Sequence, residues 1–305
     1  MKKVKSEKVG LAVVVLLIAF LGACSGNSVQ VSNTTLVPMR VVTDDLGRRV
    51  TVPVKITRIV SLAPSVTEMI YAVGGGDRLV GVTTFCNYPE EAKSIAKIGD
   101  TMTPNMESII ALKPDVVFVS TASQIEAFMK TLSGQGIAVY VTNPTSLDGV
   151  FKNLKQLGEL FGTSDVADKL VGDLQRRVGV VWKNVEGQKP VRVFVQISRE
   201  PLFTIGKQAF LNTILEKAGG GSVTANVDSA YPKLSKETAS ALNPEAIILS
   251  DSEDNREPND VFKNSPAVKN SRVFKVNADI LSRPGPRLVD ALEQIARDLH
   301  PEKFK

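Results

Sequence analysis

The side chains that could carry chemistry are few. The one histidine is His300, close to the C-terminus, and the two cysteines are Cys24 and Cys86. Ser61, Ser65 and Cys86 have no histidine near them in sequence, and there is no nucleophile elbow or phosphate loop, so nucleophilic catalysis lacks its base. A bare zinc or manganese site needs several histidines and carboxylates converging on one ion, which a single histidine cannot furnish. The carboxylates, by contrast, include a matched pair. Glu107 is followed by Ala111, Leu112, Pro114 and Asp115; Glu237, 130 residues on, is followed at the same offsets by Ala241, Leu242, Pro244 and Glu245. A lone glutamate in a first helical turn only complements the helix dipole. Two at matched positions, about one domain apart, describe a surface built twice, as a two-lobed body docking onto a symmetric partner would need.

The elements needed to hold such a surface can be read around it. Residues 58–62 form an apolar strand running into Ser65-Val66-Thr67-Glu68, a capping-box pattern that opens a helix ending near residues 74–76. Strands at 79–82, 116–119 and 138–141 alternate with helices at 106–112 and 125–132. The second half repeats the style, with strands at 191–197, 246–249 and 272–276 and helices at 209–218 and 286–299. Between the halves, Thr163 or Ser164 caps a helix reaching Glu186, with Gly187 as its stop. Val166, Leu170, Leu174, Val178, Val181 and Val185 give it one apolar face, and Trp182 on the same helix is assigned to packing. The pattern predicts an α/β fold of two Rossmann-like lobes with mostly parallel sheets, residues 40–162 and 188–305, joined by one long rigid helix at 163–187.

The N-terminus predicts an address. Lys2, Lys3, Lys5 and Lys8 precede an uncharged run of 15 residues, 9–23, which is shorter than a membrane span of about 18–20. It ends in Leu21-Gly22-Ala23-Cys24, which resembles the lipobox of bacterial lipoproteins, so residues 1–23 read as a signal peptide and Cys24 as a lipidated, membrane-anchoring residue. Residues 24–39 then form a tether. Loss of the leader removes four lysines and Glu7, taking the formal charge from +5 to +2 and leaving no nucleic-acid footprint. Cys86 is left alone, expected to be a small buried side chain.

The segments RIVSLAPSVTE (58–68), GVTTFCNYPEEA (81–92), NMESIIALKPDVV (105–117), RVFVQ (192–196), FTIGKQAFLNTIL (203–215) and SRPGPRLVDAL (282–292) resemble the helical-backbone substrate-binding proteins of ABC importers, and among them the cobalamin-binding branch. That family carries cobalamin, ferric siderophores or haem to a membrane permease. The resemblance implies a non-enzymatic, extracytoplasmic, monomeric receptor with no cofactor of its own. It places Glu107 and Glu237 against arginine pockets of a permease dimer that works with ATPase subunits. Its ligand cleft would be lined by Ser65, Phe85 and Thr101 from the first lobe and by Arg199, Tyr231, Asp279 and Arg283 from the second. Phe85 and Tyr231 would face a corrin ring, while Asp279 and Arg283 would bond its side-chain amides. Cobalamin binders often place tryptophans in this cleft, and Thr101 and Ser120 stand where an indole would have strengthened the corrinoid reading. Ferric hydroxamates, or haem with Tyr231 as axial ligand, remain open.

Overall fold

The computed structural model describes residues 37–121 and 125–304; Cys24, the leader and most of the tether lie outside them. A hairpin of β1 (Met39–Thr43) and β2 (Arg49–Pro53) comes first, and its opening strand takes in Met39, the last residue expected of the tether. There follow β3 (Ile59–Ser61), α1 (Pro64–Ala72), β4 (Leu79–Val82), α2 (Met106–Ala111), β5 (Val116–Ser120), α3 (Ile125–Ser133), β6 (Ala138–Thr142) and α4 (Leu147–Phe161). The chain then runs through α5 (Ser164–Val185), β7 (Val191–Ser198), β8 (Phe203–Thr204), α6 (Leu211–Lys217), β9 (Gly220–Ser222) and α7 (Lys236–Ala241). It ends with β10 (Ala246–Asp251), α8 (Pro266–Lys269), β11 (Val273–Asn277), α9 (Ala278–Ser282) and α10 (Leu288–Leu299).

Two sheets result. The first has the order β4-β3-β5-β6, all parallel. The second has the order β11-β10-β7-β8; β9 also pairs with β7, and only β8 is antiparallel. Parallel strands covered on both faces read as unbroken apolar runs, and residues 116–119 and 246–249 are buried throughout.

One apolar core crosses from lobe to lobe. It joins Ile59 and Val116 of the first sheet, Leu154 of α4 and Leu174 of α5 to Val193 of the second sheet and Leu292 of α10. The outer faces carry two smaller clusters of their own. The 22-residue α5, about 33 Å long at 1.5 Å per residue, packs on α4 and on α10. Gly158 lets α4 and α5 approach closely: a Cβ there would lie 2.5 Å from that of Ala167. Arg177 of α5 binds Asp290 at 2.6 Å and Glu293 at 2.9 Å on α10. A shared core and these ion pairs resist hinge motion between the lobes.

The buried face of α5 is turned slightly from the predicted one. Ala167, Val171, Leu174, Val181 and Val185 are buried, whereas Val166 is exposed. Trp182 is 47% exposed, so packing does not account for it: it lies one position, some 100°, from the buried Val181. His300 is buried with its Nε2 2.9 Å from the Gly219 carbonyl, a contact between the end of α10 and the turn after α6.

Candidate functional site

The chain leaves β3 straight into α1. The capping-box reading made Ser65 the cap, with Glu68 reaching back to it. Instead Ala63 is the N-cap, in extended conformation; Pro64 takes the first helical turn, and no side chain caps the helix. Proline suits that place because it brings a helical φ and no N–H to satisfy. Ser65 therefore sits inside the first turn, and Glu68 is free for other partners.

Beside this helix start lies a cavity of about 300 Å³ between the lobes. Ser65, Thr101, Ser120 and Asn143 line it from the first lobe, Ser282 and Arg283 from the second. All but Arg283 are neutral hydroxyls or amides, and no carboxylate lines it. Of the seven residues expected in the cleft, Ser65, Thr101 and Arg283 come together here.

Arg283 does more than line the cavity. Its guanidinium donates to Glu68 Oε1 at 3.0 Å, to Asn87 Oδ1 at 2.7 Å and to the Phe85 carbonyl at 3.3 Å, and pairs with Asp279 Oδ1 at 2.7 Å. Asn87 in turn donates to Asp279 Oδ2 at 2.9 Å. Glu68, its side chain 1% exposed, also accepts twice from Arg287, at 2.6 and 2.9 Å, and Arg287 stacks over Tyr88 with 3.9 Å to the ring centroid. Asp279 and Arg283 thus bond to each other and across the lobe junction, which limits the donors they can offer a ligand. Glu68, Asn87 and Arg287 escaped the sequence reading. Arg283 and Arg287 flank the non-helical Pro284-Gly285-Pro286 turn between α9 and α10, so no helical spacing pointed to Arg287.

The other expected residues stand apart from this cavity. Phe85 is 58% exposed. Tyr231 is 43% exposed, yet the burial around its hydroxyl holds the phenol above its ordinary pKa. Arg199 pairs with Asp260 at 3.1 Å. Its carbonyl accepts from Asn259, whose own N–H donates to the buried Gln196 side chain at 2.8 Å, so the turn carrying Arg199 is anchored on β7.

Both candidate docking glutamates are exposed in first helical turns. Asn105 caps α2 by accepting from Ser108 N, and Ser235 caps α7 by accepting from Thr238 N. Glu237 is held below the ordinary carboxylate pKa by its own backbone N–H and the Ser235 hydroxyl. The likeness extends past the helices. Lys113 and Asn243 both take left-handed backbone, φ 47° and 48°. Asp115 Oδ2 accepts from Arg58 N and Glu245 Oε2 from Arg192 N, each at 2.9 Å. Arg58 and Arg192 then donate to the Leu112 and Leu242 carbonyls.

A family model for periplasmic binding proteins matches residues 59–279. The chain belongs to that family. An uncharacterized ABC transporter substrate-binding lipoprotein of Bacillus subtilis, YvrC, is 34% identical over 98% of this chain and 99% of its own. The crystal structure of the periplasmic vitamin B12-binding protein BtuF of Vibrio cholerae superposes with a TM-score of 0.71 at 28% identity, over 82% of this chain and 99% of that one. A possible iron-binding periplasmic solute-binding protein of Staphylococcus epidermidis gives a TM-score of 0.68 at 30% identity, over 81% and 99%. This periplasmic binding protein is a solute receptor and not an enzyme.

Proposed function

We propose that this periplasmic binding protein is the lipid-anchored extracytoplasmic receptor of an ABC importer, capturing a corrinoid between its lobes and delivering it to a permease dimer driven by ATPase subunits. The paired, exposed Glu107 and Glu237 on equivalent capped helices carry the importer reading. A rigid two-lobed body offering the same charged group twice fits a symmetric docking partner. The likeness to the B12-binding protein of Vibrio cholerae supports the corrinoid. The exposed aromatic faces of Phe85 and Tyr231 suit a large flat ligand. The anchor at Cys24 rests on the lipobox and on the lipoprotein relative of Bacillus subtilis. The protein acts as a monomer in this scheme.

A ferric siderophore is the second reading, favoured by the hydroxyl-rich, indole-free cavity and by the Staphylococcus epidermidis relative. Haem fits less well. An axial Tyr231 would bind as phenolate, and its raised pKa opposes loss of that proton. Calorimetric titration of the chain from Ser25 onward with cyanocobalamin, haem and a ferric hydroxamate decides between them. One-to-one binding of cobalamin alone upholds the corrinoid; uptake of an iron ligand alone replaces it.

A further inference from the structure

We propose that the cavity at the root of the cleft is an oxyanion subsite, built by Ser65 and the first turn of α1 for a carboxylate, a phosphate ester or a free tetrahedral oxyanion. The inference rests on the cleft being the ligand site and adds the charge of the group that enters deepest.

The first observation is the helix start. α1 has 9 residues and no side-chain cap. Pro64 has no N–H, and Thr67 N, bonded to the Ala63 carbonyl at 3.0 Å, is the first amide of the helix to find its partner four residues back. The Ser65 and Val66 amides are left without intrahelical partners, and both residues are buried, at 7% and 0% exposure. Donors in this position, at the positive end of a helix, are matched to a negatively charged acceptor.

The second observation is independent of the helix. Ser65 is more than nine-tenths buried and lines the cavity, and among the described residues its hydroxyl has no hydrogen-bond partner. Nearby buried hydroxyls are engaged: Thr67 donates to Ser61 Oγ at 2.9 Å and Thr142 to the Val119 carbonyl at 3.3 Å. The Ser65 hydroxyl therefore adds a free donor beside the Ser65 amide, while Val66, fully buried, does not line the cavity. The cavity wall carries no carboxylate to repel an anion. Its one charged member is the cationic Arg283, whose charge is met by Glu68 and Asp279 at the lobe junction. At about 300 Å³ the space is at the lower end of ligand pockets, sized for one appended group or a small ion and not for a whole macrocycle.

The test uses the full-length chain in detergent, as wild type, Ser65→Ala and Ser65→Asp. The probes are inorganic phosphate, sulfate and molybdate at constant ionic strength, then cobalamin and cobinamide, which lacks the phosphodiester. Ser65→Ala should weaken the group's binding about tenfold, the loss of one charge-assisted donor. Ser65→Asp, which puts a carboxylate where the anion would sit, should abolish it while raising the thermal midpoint by placing a negative charge in the first turn of α1, at the positive end of the helix. One-to-one binding of a free oxyanion, lost in Ser65→Asp, supports the subsite with a free ion as its source. If free ions do not bind, a drop in cobalamin affinity in Ser65→Asp with cobinamide unaffected supports it with an appended group as source. Wild-type affinity for every ligand in both variants overturns the subsite and leaves the cleft reading intact. Oxyanion binding with no corrinoid or iron ligand bound keeps the subsite and removes the proposed cargo.

Discussion

Glu68 on the first lobe and Arg287 on the second share two hydrogen bonds, 2.6 and 2.9 Å long, across the lobe junction. Arg283 adds a third to the same carboxylate, so one buried anion holds two cations. Removing one partner of a buried ion pair is far worse than never having it, because the remaining charge is left desolvated. Glu68→Ala should cost about 3–5 kcal/mol, a fall in the thermal midpoint of roughly 6–20 °C for a chain of this size. Circular dichroism melts would read it. A fall under about 3 °C would mean that solvent or other groups satisfy both arginines and that the junction is not held by Glu68.

Docking and ligand capture should separate. Glu107→Ala together with Glu237→Ala should leave ligand affinity within about twofold and abolish uptake in cells or proteoliposomes carrying the importer. Each single change should weaken docking by about 10–100-fold, the worth of one charge-assisted pair. Because Glu237 is held below the ordinary carboxylate range, it stays charged as pH falls from neutral toward that range, and its share of docking should persist in mild acid. Lost ligand affinity with normal docking in the double variant would sink the assignment of these glutamates.

Arg177 gives a pH-dependent prediction. Glu293 is held below its ordinary pKa, first by the hydrogen bond from Arg177, against an opposing effect of burial. A carboxylate with a depressed folded-state pKa adds stability above its unfolded pKa and loses it as pH falls through the folded value. Arg177→Ala should therefore cost about 1–2 kcal/mol at neutral pH. The gap between variant and wild type should close as acid protonates Glu293. Urea melts across that range would show it; a gap independent of pH would assign the Arg177 effect to packing of its stem.

How much of this was legible depends on how local each signal is. The buried parallel strands could be read because they are short continuous apolar runs, and the repeat of Glu107 and Glu237 because it lies in the sequence itself. The first-lobe helix α4 went unread although Ser146 caps it and Gly162 ends it in left-handed conformation. On α5 the predicted face holds for Leu174, Val181 and Val185, but Ala167 and Val171 take the buried places near its start, which leaves Val166 exposed, and Trp182 is exposed as well. Ser65, Thr101 and Arg283 line one cavity, whereas Phe85, Arg199 and Tyr231 lie outside it. Glu68 was misread as part of a capping box because its partners lie 215 and 219 residues away, beyond any local pattern.

The duplicated turn offers a prediction in which its two copies should respond differently. Lys113 and Asn243 occupy the same left-handed position, between a helix end and the proline that precedes the next strand. Left-handed backbone costs an ordinary L-residue about 1–2 kcal/mol, while asparagine tolerates it through local hydrogen bonding. Glycine removes that strain but adds freedom to the unfolded chain, a penalty of about 0.4–1 kcal/mol. Lys113→Gly should thus stabilise the protein by about 0.5–1 kcal/mol, and Asn243→Gly, which has no strain to relieve, should destabilise it by about 0.4–1 kcal/mol. Both side chains are exposed, and Arg58 reaches only main-chain carbonyls here, so neither change removes a hydrogen bond of the turn. Chemical denaturation of the two variants, fitted with a common slope, would measure the difference. Equal effects would mean that lysine is held in this conformation without strain, and that the repeat is energetically as well as geometrically even.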